Sequence, residues 1–162
     1  MNEHFKIIFL DFDGVLNHEL FYRGLSSQEY PRLNGRPYSE IDTNSVNILN
    51  RLIQETGAKV VVSSTWRRSY DKNQLQKILN KHNFIGEVID TTPILNFEGA
   101  VRGNEVKVWL EKNYSHDKRC AYICLDDDSD FLYGQRNNLI LVDSYCGLSP
   151  NNVYRATKIL NK

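Results

Sequence analysis

Three apolar runs in this chain each stop abruptly at polar, chemistry-bearing residues. Lys6-Ile-Ile-Phe-Leu10 gives way to Asp11-Phe-Asp13-Gly14, Lys59-Val-Val-Val62 to Ser63-Ser64, and Cys120-Ala-Tyr-Ile-Cys-Leu125 to Asp126-Asp-Asp128. Short runs without polar alternation predict strands buried on both faces, the signature of a parallel sheet. Helical patterns fall between them. Asp42 is placed to cap a helix carrying Val46, Leu49, Leu52 and Ile53, with Gly57 as its stop. Asp71 is placed to cap a second through about His82, with Leu75, Ile78 and Leu79 facing inward. Further helices are expected over 104–113, with Val106, Trp109 and Leu110 as the apolar stripe, and over 151–160. Residues 86–90 and 138–142 read as two more strands.

Alternating strands and helices predict an α/β fold: a three-layer, Rossmann-like parallel sheet with helices on both faces. In such sheets ligands bind beyond the carboxyl ends of the strands. Three strands ending in chemistry therefore predict one site at one edge. The length of 162 residues fits a single domain over 1–162. Residues 17–41 carry Gly24, Pro31, Gly35 and Pro37 and read as a long loop or small cap-like insertion.

Charge and cysteine usage narrow the class. Twenty basic and twenty acidic residues cancel, which excludes an overall basic nucleic-acid glove or an acidic tail. Three cysteines make an odd count, and two lie in a strand-like run. Reduced thiols and a cytoplasmic location are the expectation. No Cys/His spacing suits zinc. The first apolar run stops at Asp11, so neither a signal peptide nor a membrane partner is expected.

Asp11 and Asp13 stand two positions apart where a strand ends, and Gly14 permits a sharp turn. Two carboxylates this close need a cation or hydrogen-bond donors to remain charged. Asp126, Asp127 and Asp130 add three more. Five oxygen donors without histidine or cysteine point to Mg2+. Turn and cap chemistry alone would explain one such cluster but not two after separate apolar strands.

These residues resemble a known family. Phe9-Leu-Asp-Phe-Asp-Gly-Val-Leu16 is similar to the first motif, hhhDxDGx, of the haloacid dehalogenase (HAD) superfamily. Val60-Val-Val-Ser63 resembles the second motif, Arg102 the third, and Tyr122-Ile-Cys-Leu-Asp-Asp127 with Asp130 the fourth. More narrowly, Val62-Ser-Ser-Thr-Trp-Arg67, Arg102-Gly-Asn-Glu-Val106 and Leu125-Asp-Asp-Asp-Ser-Asp130 resemble the HAD domains of Swiss Army Knife RNA repair proteins. The same scaffold serves the 3′-phosphatase half of polynucleotide kinase/phosphatases.

The resemblance implies a HAD-like fold with a minimal cap and a Mg2+-dependent phosphatase. Asp11 would attack phosphorus to form an aspartyl-phosphate, and Asp13 would act as general acid and then base. Ser63 would hold a phosphoryl oxygen, with Ser64 as its rival if the strand ends one residue later. Arg102 would neutralise the phosphoryl group. Lys107 is the runner-up, but it lies inside the helix away from the mouth. Asp127 is the first choice as side-chain metal ligand, followed by Asp126 and Asp130. Asp11 and the Asp13 carbonyl would complete the set.

Arg67 is expected to contact substrate phosphate, a role suited to a guanidinium, while Arg68 reads as solvated. Trp66 reads as packing, with base stacking as the functional alternative. His18 reads as incidental. Residues 17–41 are too few for a large folded cap, so an open site is expected. That favours a bulky phosphorylated substrate: a nucleic-acid 3′-phosphate end or a nucleotide. A small-metabolite phosphatase and a non-catalytic phosphate-binding regulatory domain are the alternatives, and the oligomeric state is left open.

Overall fold

The computed structural model describes residues 5–25, 40–114 and 120–162. Strand β1 (Phe5–Leu10) is fully buried from Ile7 onward and lies mid-sheet. On one side it pairs with β2 (Lys59–Val62), which pairs with β3 (Val88–Thr91). On the other it pairs with β4 (Cys120–Asp126), which pairs with β5 (Leu139–Leu141). Every pairing is parallel and the order is β3-β2-β1-β4-β5. The expected α/β architecture is therefore present. The chain winds outward one way through β3, then the other way from β4. The topological switch point, where parallel sheets bind ligands, thus lies between β1 and β4.

Side-chain alternation along the strands sorts the helices into two layers. Ile8, Leu10, Val60, Val62, Ile123 and Leu125 face one core. It is filled from α2 (Thr43–Thr56), α3 (Lys72–Asn80) and α5 (Pro150–Leu160) by Val46, Leu49, Leu52, Leu75, Leu79, Val153 and Ala156. Ile7, Phe9, Val61 and Cys124 face a smaller core, closed by Val106 and Trp109 of α4 (Arg102–Asn113). Phe9 and Trp109 meet edge to face at 5.4 Å, a favoured aromatic geometry.

Local cap chemistry sets several boundaries as expected. Asp42 accepts from Asn44 N–H at the start of α2, and Gly57 ends it at φ 68°. Asp71 and Gln74 form a capping box on α3. Helix α4 begins two residues earlier than expected, because its cap is remote: the Asp130 carboxylate accepts from Arg102 N–H at 3.1 Å.

Part of the 17–41 segment is a short helix, α1 (Glu19–Gly24), capped by His18. Residues 26–39, which hold the rest of the expected cap-like insertion, lie outside the described residues. His18 is not incidental. Its Nε2 lies 3.1 Å from Asp42, and its Nδ1 accepts from Phe21 N–H. Gly147 packs so closely that a Cβ there would lie 2.4 Å from the imidazole. One ring thus ties α1, the start of α2 and the β5–α5 loop together. Among the described residues no helix is long and apolar enough to cross a membrane.

The three cysteines are free. Burial pushes the Cys120 thiol up to about 11 and the Cys124 thiol higher still. Cys146 is exposed. Native protein at pH 8 is expected to show one thiol, the exposed Cys146, that reacts rapidly with an aromatic disulfide, and all three only after denaturation. Rapid reaction of all three in the native state would contradict the packing of β4 against α4.

Candidate active site

Parallel pairing places the acidic clusters side by side. Leu10 is in register with Leu125, so Asp11 and Asp126 leave the sheet together, and Asp11 N–H donates to Leu125 O at 3.0 Å. Carboxylate oxygens of Asp11, Asp126 and Asp127 lie within 4.8 Å of one another. Gly14 makes that approach possible. It turns the chain at φ 76°, and a Cβ there would sit 2.3 Å from Asp127 Oδ2. Only glycine tolerates both the angle and the contact.

Arg102 reaches in from the first turn of α4. Its Nη1 lies 3.5 Å from Asp11 Oδ1 and 3.4 Å from Asp126 Oδ2, and it donates to Ser63 O at 2.6 Å. Burial lowers its pKa, but the carboxylates of Asp11, Asp126 and Asp130 outweigh this and the net shift is upward. Burial, reinforced by Asp11, pushes the Asp126 carboxyl up to about 8. Burial also raises Asp13 and Asp127. One guanidinium among four clustered carboxyls leaves the site short of positive charge.

Asp126 Oδ2 is buried and accepts no hydrogen bond from any described residue. An oxygen of this kind inside a carboxylate triad fits a hard divalent cation, which prefers oxygen ligands and offsets their repulsion. Asp11, Asp126 and Asp127 are the side chains brought together for it. Asp130, expected as a fourth side-chain ligand, is not in that group. Its carboxylate is engaged at the α4 N-terminus instead. Gly103 N–H also donates to Asp130 O, fastening the β4–β5 loop to the helix that presents Arg102. Asp13 lies beside the triad, with its carboxylate turned toward other donors: Asn17 Nδ2 at 2.9 Å and Trp66 Nε1 at 3.0 Å, both on Oδ1.

The serines part company. Ser64 caps the 3-10 turn Thr65–Arg68 through its hydroxyl, whereas Ser63, 1% exposed at the end of β2, makes no side-chain hydrogen bond among the described residues. Lys107 is solvent-exposed and pairs with Glu111 at 3.7 Å, away from the site.

Arg67 departs from its expected role as a phosphate contact. Its guanidinium donates to the carbonyls of Ser63, Ser64, Thr92 and Pro93 and to the Glu105 carboxylate. Those five bonds use all five N–H groups of an arginine. The side chain is only 3% exposed. Arg67 is a clamp joining the ends of β2 and β3 to α4, with no donor left for a substrate. Nothing local signals this, because the acceptors lie up to 38 residues away. The hydrogen bonds of Trp66 to Asp13 and of Glu105 to Arg67 are hidden from sequence for the same reason, whereas Asn17 acts on its near neighbours Asp13 and Gly14. The one cue was an asparagine four positions beyond Asp13 in a turn.

A cleft of about 460 Å3 opens beside Asp13 and Asp127, walled by Gly14, His18, Glu19, Ser144 and Tyr145. Hydrogen bonds from Glu19 N–H to Ser144 O and from Leu20 N–H to Tyr145 O hold its two walls together.

A five-stranded parallel sheet with acidic residues after β1 and β4, a serine after β2 and an arginine opening the intervening helix defines a protein of the HAD hydrolase superfamily. The model of one family within it, the HAD domain in Swiss Army Knife RNA repair proteins, matches residues 7–153. The chain belongs to that family. No curated protein and no solved structure matches the chain.

Arg67→Met would leave the Glu105 carboxylate without its cation and strip the Thr92 and Pro93 carbonyls of the guanidinium, while Ser63 O keeps Arg102 and Ser64 O keeps the backbone N–H of residue 67. A loss of about 3–5 kcal/mol is expected in urea unfolding. Arg67→Lys should recover only part of it, since an ammonium has fewer donors. A loss below about 1 kcal/mol would contradict the clamp.

Proposed function

We propose that the chain is a magnesium-dependent phosphomonoester hydrolase that works through an aspartyl-phosphate on Asp11. The observation that carries this reading is the meeting of the Asp11, Asp126 and Asp127 carboxylates with Arg102 at the switch point of the sheet. Asp11 attacks phosphorus, forming a P–O bond as the bond to the leaving oxygen breaks. Asp13 gives its proton to that oxygen, then takes one from the water that cleaves the aspartyl-phosphate. Arg102 offsets the phosphoryl charge, and the Ser63 hydroxyl holds a phosphoryl oxygen. Asp11, Asp126 and Asp127, with the Asp13 carbonyl, would hold Mg2+, which when bound supplies charge neutralisation and Lewis acidity.

The cleft beside Asp13 is the natural place for the leaving group. Its volume falls in the range of about 300–1,000 Å3 common for small-molecule sites. Tyr145 on its wall is 45% exposed and offers a ring on which a base can stack. This supports a nucleotide or a nucleic-acid 3′-phosphate end as substrate. The free cysteines support a reducing, cytoplasmic setting.

Phosphate release from 4-nitrophenyl phosphate is expected to require Mg2+ and to fall to background in Asp11→Asn. Activity that survives Asp11→Asn would sink the aspartyl-phosphate. Inactivity of the folded wild type with Mg2+ bound would favour the phosphate-binding regulatory reading. A panel of 3′-phosphorylated oligonucleotides, mononucleotides and sugar phosphates then assigns the substrate; preference for sugar phosphates would favour the small-metabolite alternative.

A further inference from the structure

The Asp13 carboxyl has two chemically equivalent oxygens, and the fold distinguishes them. Asn17 Nδ2 and Trp66 Nε1 both donate to Oδ1, at 2.9 and 3.0 Å. Neither group can accept a hydrogen bond: an indole nitrogen and an amide nitrogen are donors only. The direction of the Asn17 amide is settled by its other end, where Oδ1 accepts from Gly14 N–H at 3.0 Å. Reversing the amide would face N–H against N–H and oxygen against oxygen. Asn17 is fully buried, so water cannot relieve such a reversal. Trp66 is held as firmly. Its ring packs on Phe12 at 5.2 Å, and the Ser64 hydroxyl accepts its backbone N–H. Two fixed donors on one oxygen exclude a proton from that oxygen. Oδ2 receives no hydrogen bond from any described residue, and Asp13 lines the open cleft.

Resting on the phosphatase reading above, we propose that Asn17 and Trp66 are positioning residues that hold Asp13 so that Oδ2 alone exchanges protons. In the first half-reaction the Oδ2 proton passes to the leaving oxygen, which receives the electron pair of the breaking P–O bond. In the second, Oδ2 takes the proton of the attacking water as the bond from phosphorus to Asp11 breaks. With Oδ1 pinned, Oδ2 serves both steps, and the carboxyl need not rotate between them. Trp66 therefore acts through its N–H, neither as simple filler nor as a base-stacking platform.

The test uses leaving groups that differ in their need for a proton. A nitrophenolate departs without one, and an alkoxide does not. Trp66→Phe keeps the ring and deletes the N–H. The ratio of kcat/KM for an alkyl phosphate to that for 4-nitrophenyl phosphate is expected to fall about tenfold, a fraction of the full effect of general acid catalysis. Asp13→Asn should depress the same ratio further. A folded Trp66→Phe protein with an unchanged ratio overturns the proposal, whatever happens to either rate alone, because a purely structural role affects both substrates alike. Should Trp66→Phe not fold, Asn17→Ser shortens the other donor and the same ratio decides. The parent reading is tested separately, by wild-type turnover of 4-nitrophenyl phosphate. An unchanged ratio in Asp13→Asn would remove the acid–base role from that reading itself.

Discussion

Excess negative charge at the switch point between β1 and β4 organises everything around it. Parallel pairing in register forces Asp11 and Asp126 to emerge together, and Asp127 follows across the face of Gly14. Buried carboxylates repel one another strongly in a low-dielectric setting. The fold answers with one guanidinium, Arg102, and a geometry suited to a divalent cation. A phosphoryl dianion arriving there needs the same positive charge. The arrangement that is costly to fold is thus the one that the proposed chemistry would use.

Arg102 can do this only because the surrounding loops are fastened. Asp130 and Gly103 bind the β4–β5 loop to the start of α4. Arg67 ties the ends of β2 and β3 to Glu105 on the same helix. Ser63 stands at the centre of this frame, with its carbonyl bonded by both arginines and its hydroxyl uncommitted among the described residues. A buried ion pair of this kind is costly to break, even where an apolar replacement of both partners would be equally stable. Its value lies in holding two strand ends and the start of α4 at fixed separations, as catalysis by preorganised charge requires.

Much of the architecture was legible because its signals are local. Apolar runs of four to six residues located β1, β2 and β4, and side-chain caps at Asp42 and Asp71 located α2 and α3. Where the deciding contact is remote, the boundaries slipped. The start of α4 depends on Asp130, 28 residues away. Within 17–41 the helix capped by His18 had no amphipathic pattern long enough to register, and His18 itself acts through Asp42 and Gly147. The same division runs through the site. Asp11 and Asp127 stand at strand ends whose positions follow from pattern, and Arg102 was legible through the resemblance of its motif. Arg67 and Trp66 took their roles from partners that no spacing reveals.

Sequence alone determined the order of the five strands and the four longer helices, because periodicity and caps act over a few neighbouring positions, and the resemblance of its motifs picked out the acidic, serine and arginine residues at their ends. Only the tertiary structure decided which of those groups meet. It separated Asp130 from the carboxylate triad and turned Arg67 from substrate contact to clamp. It also brought Trp66 across 53 residues to the carboxylate of Asp13. The physical reason is that a hydrogen bond depends on position to a fraction of an ångström. Sheet register and loop packing, settled by the whole chain at once, fix that position.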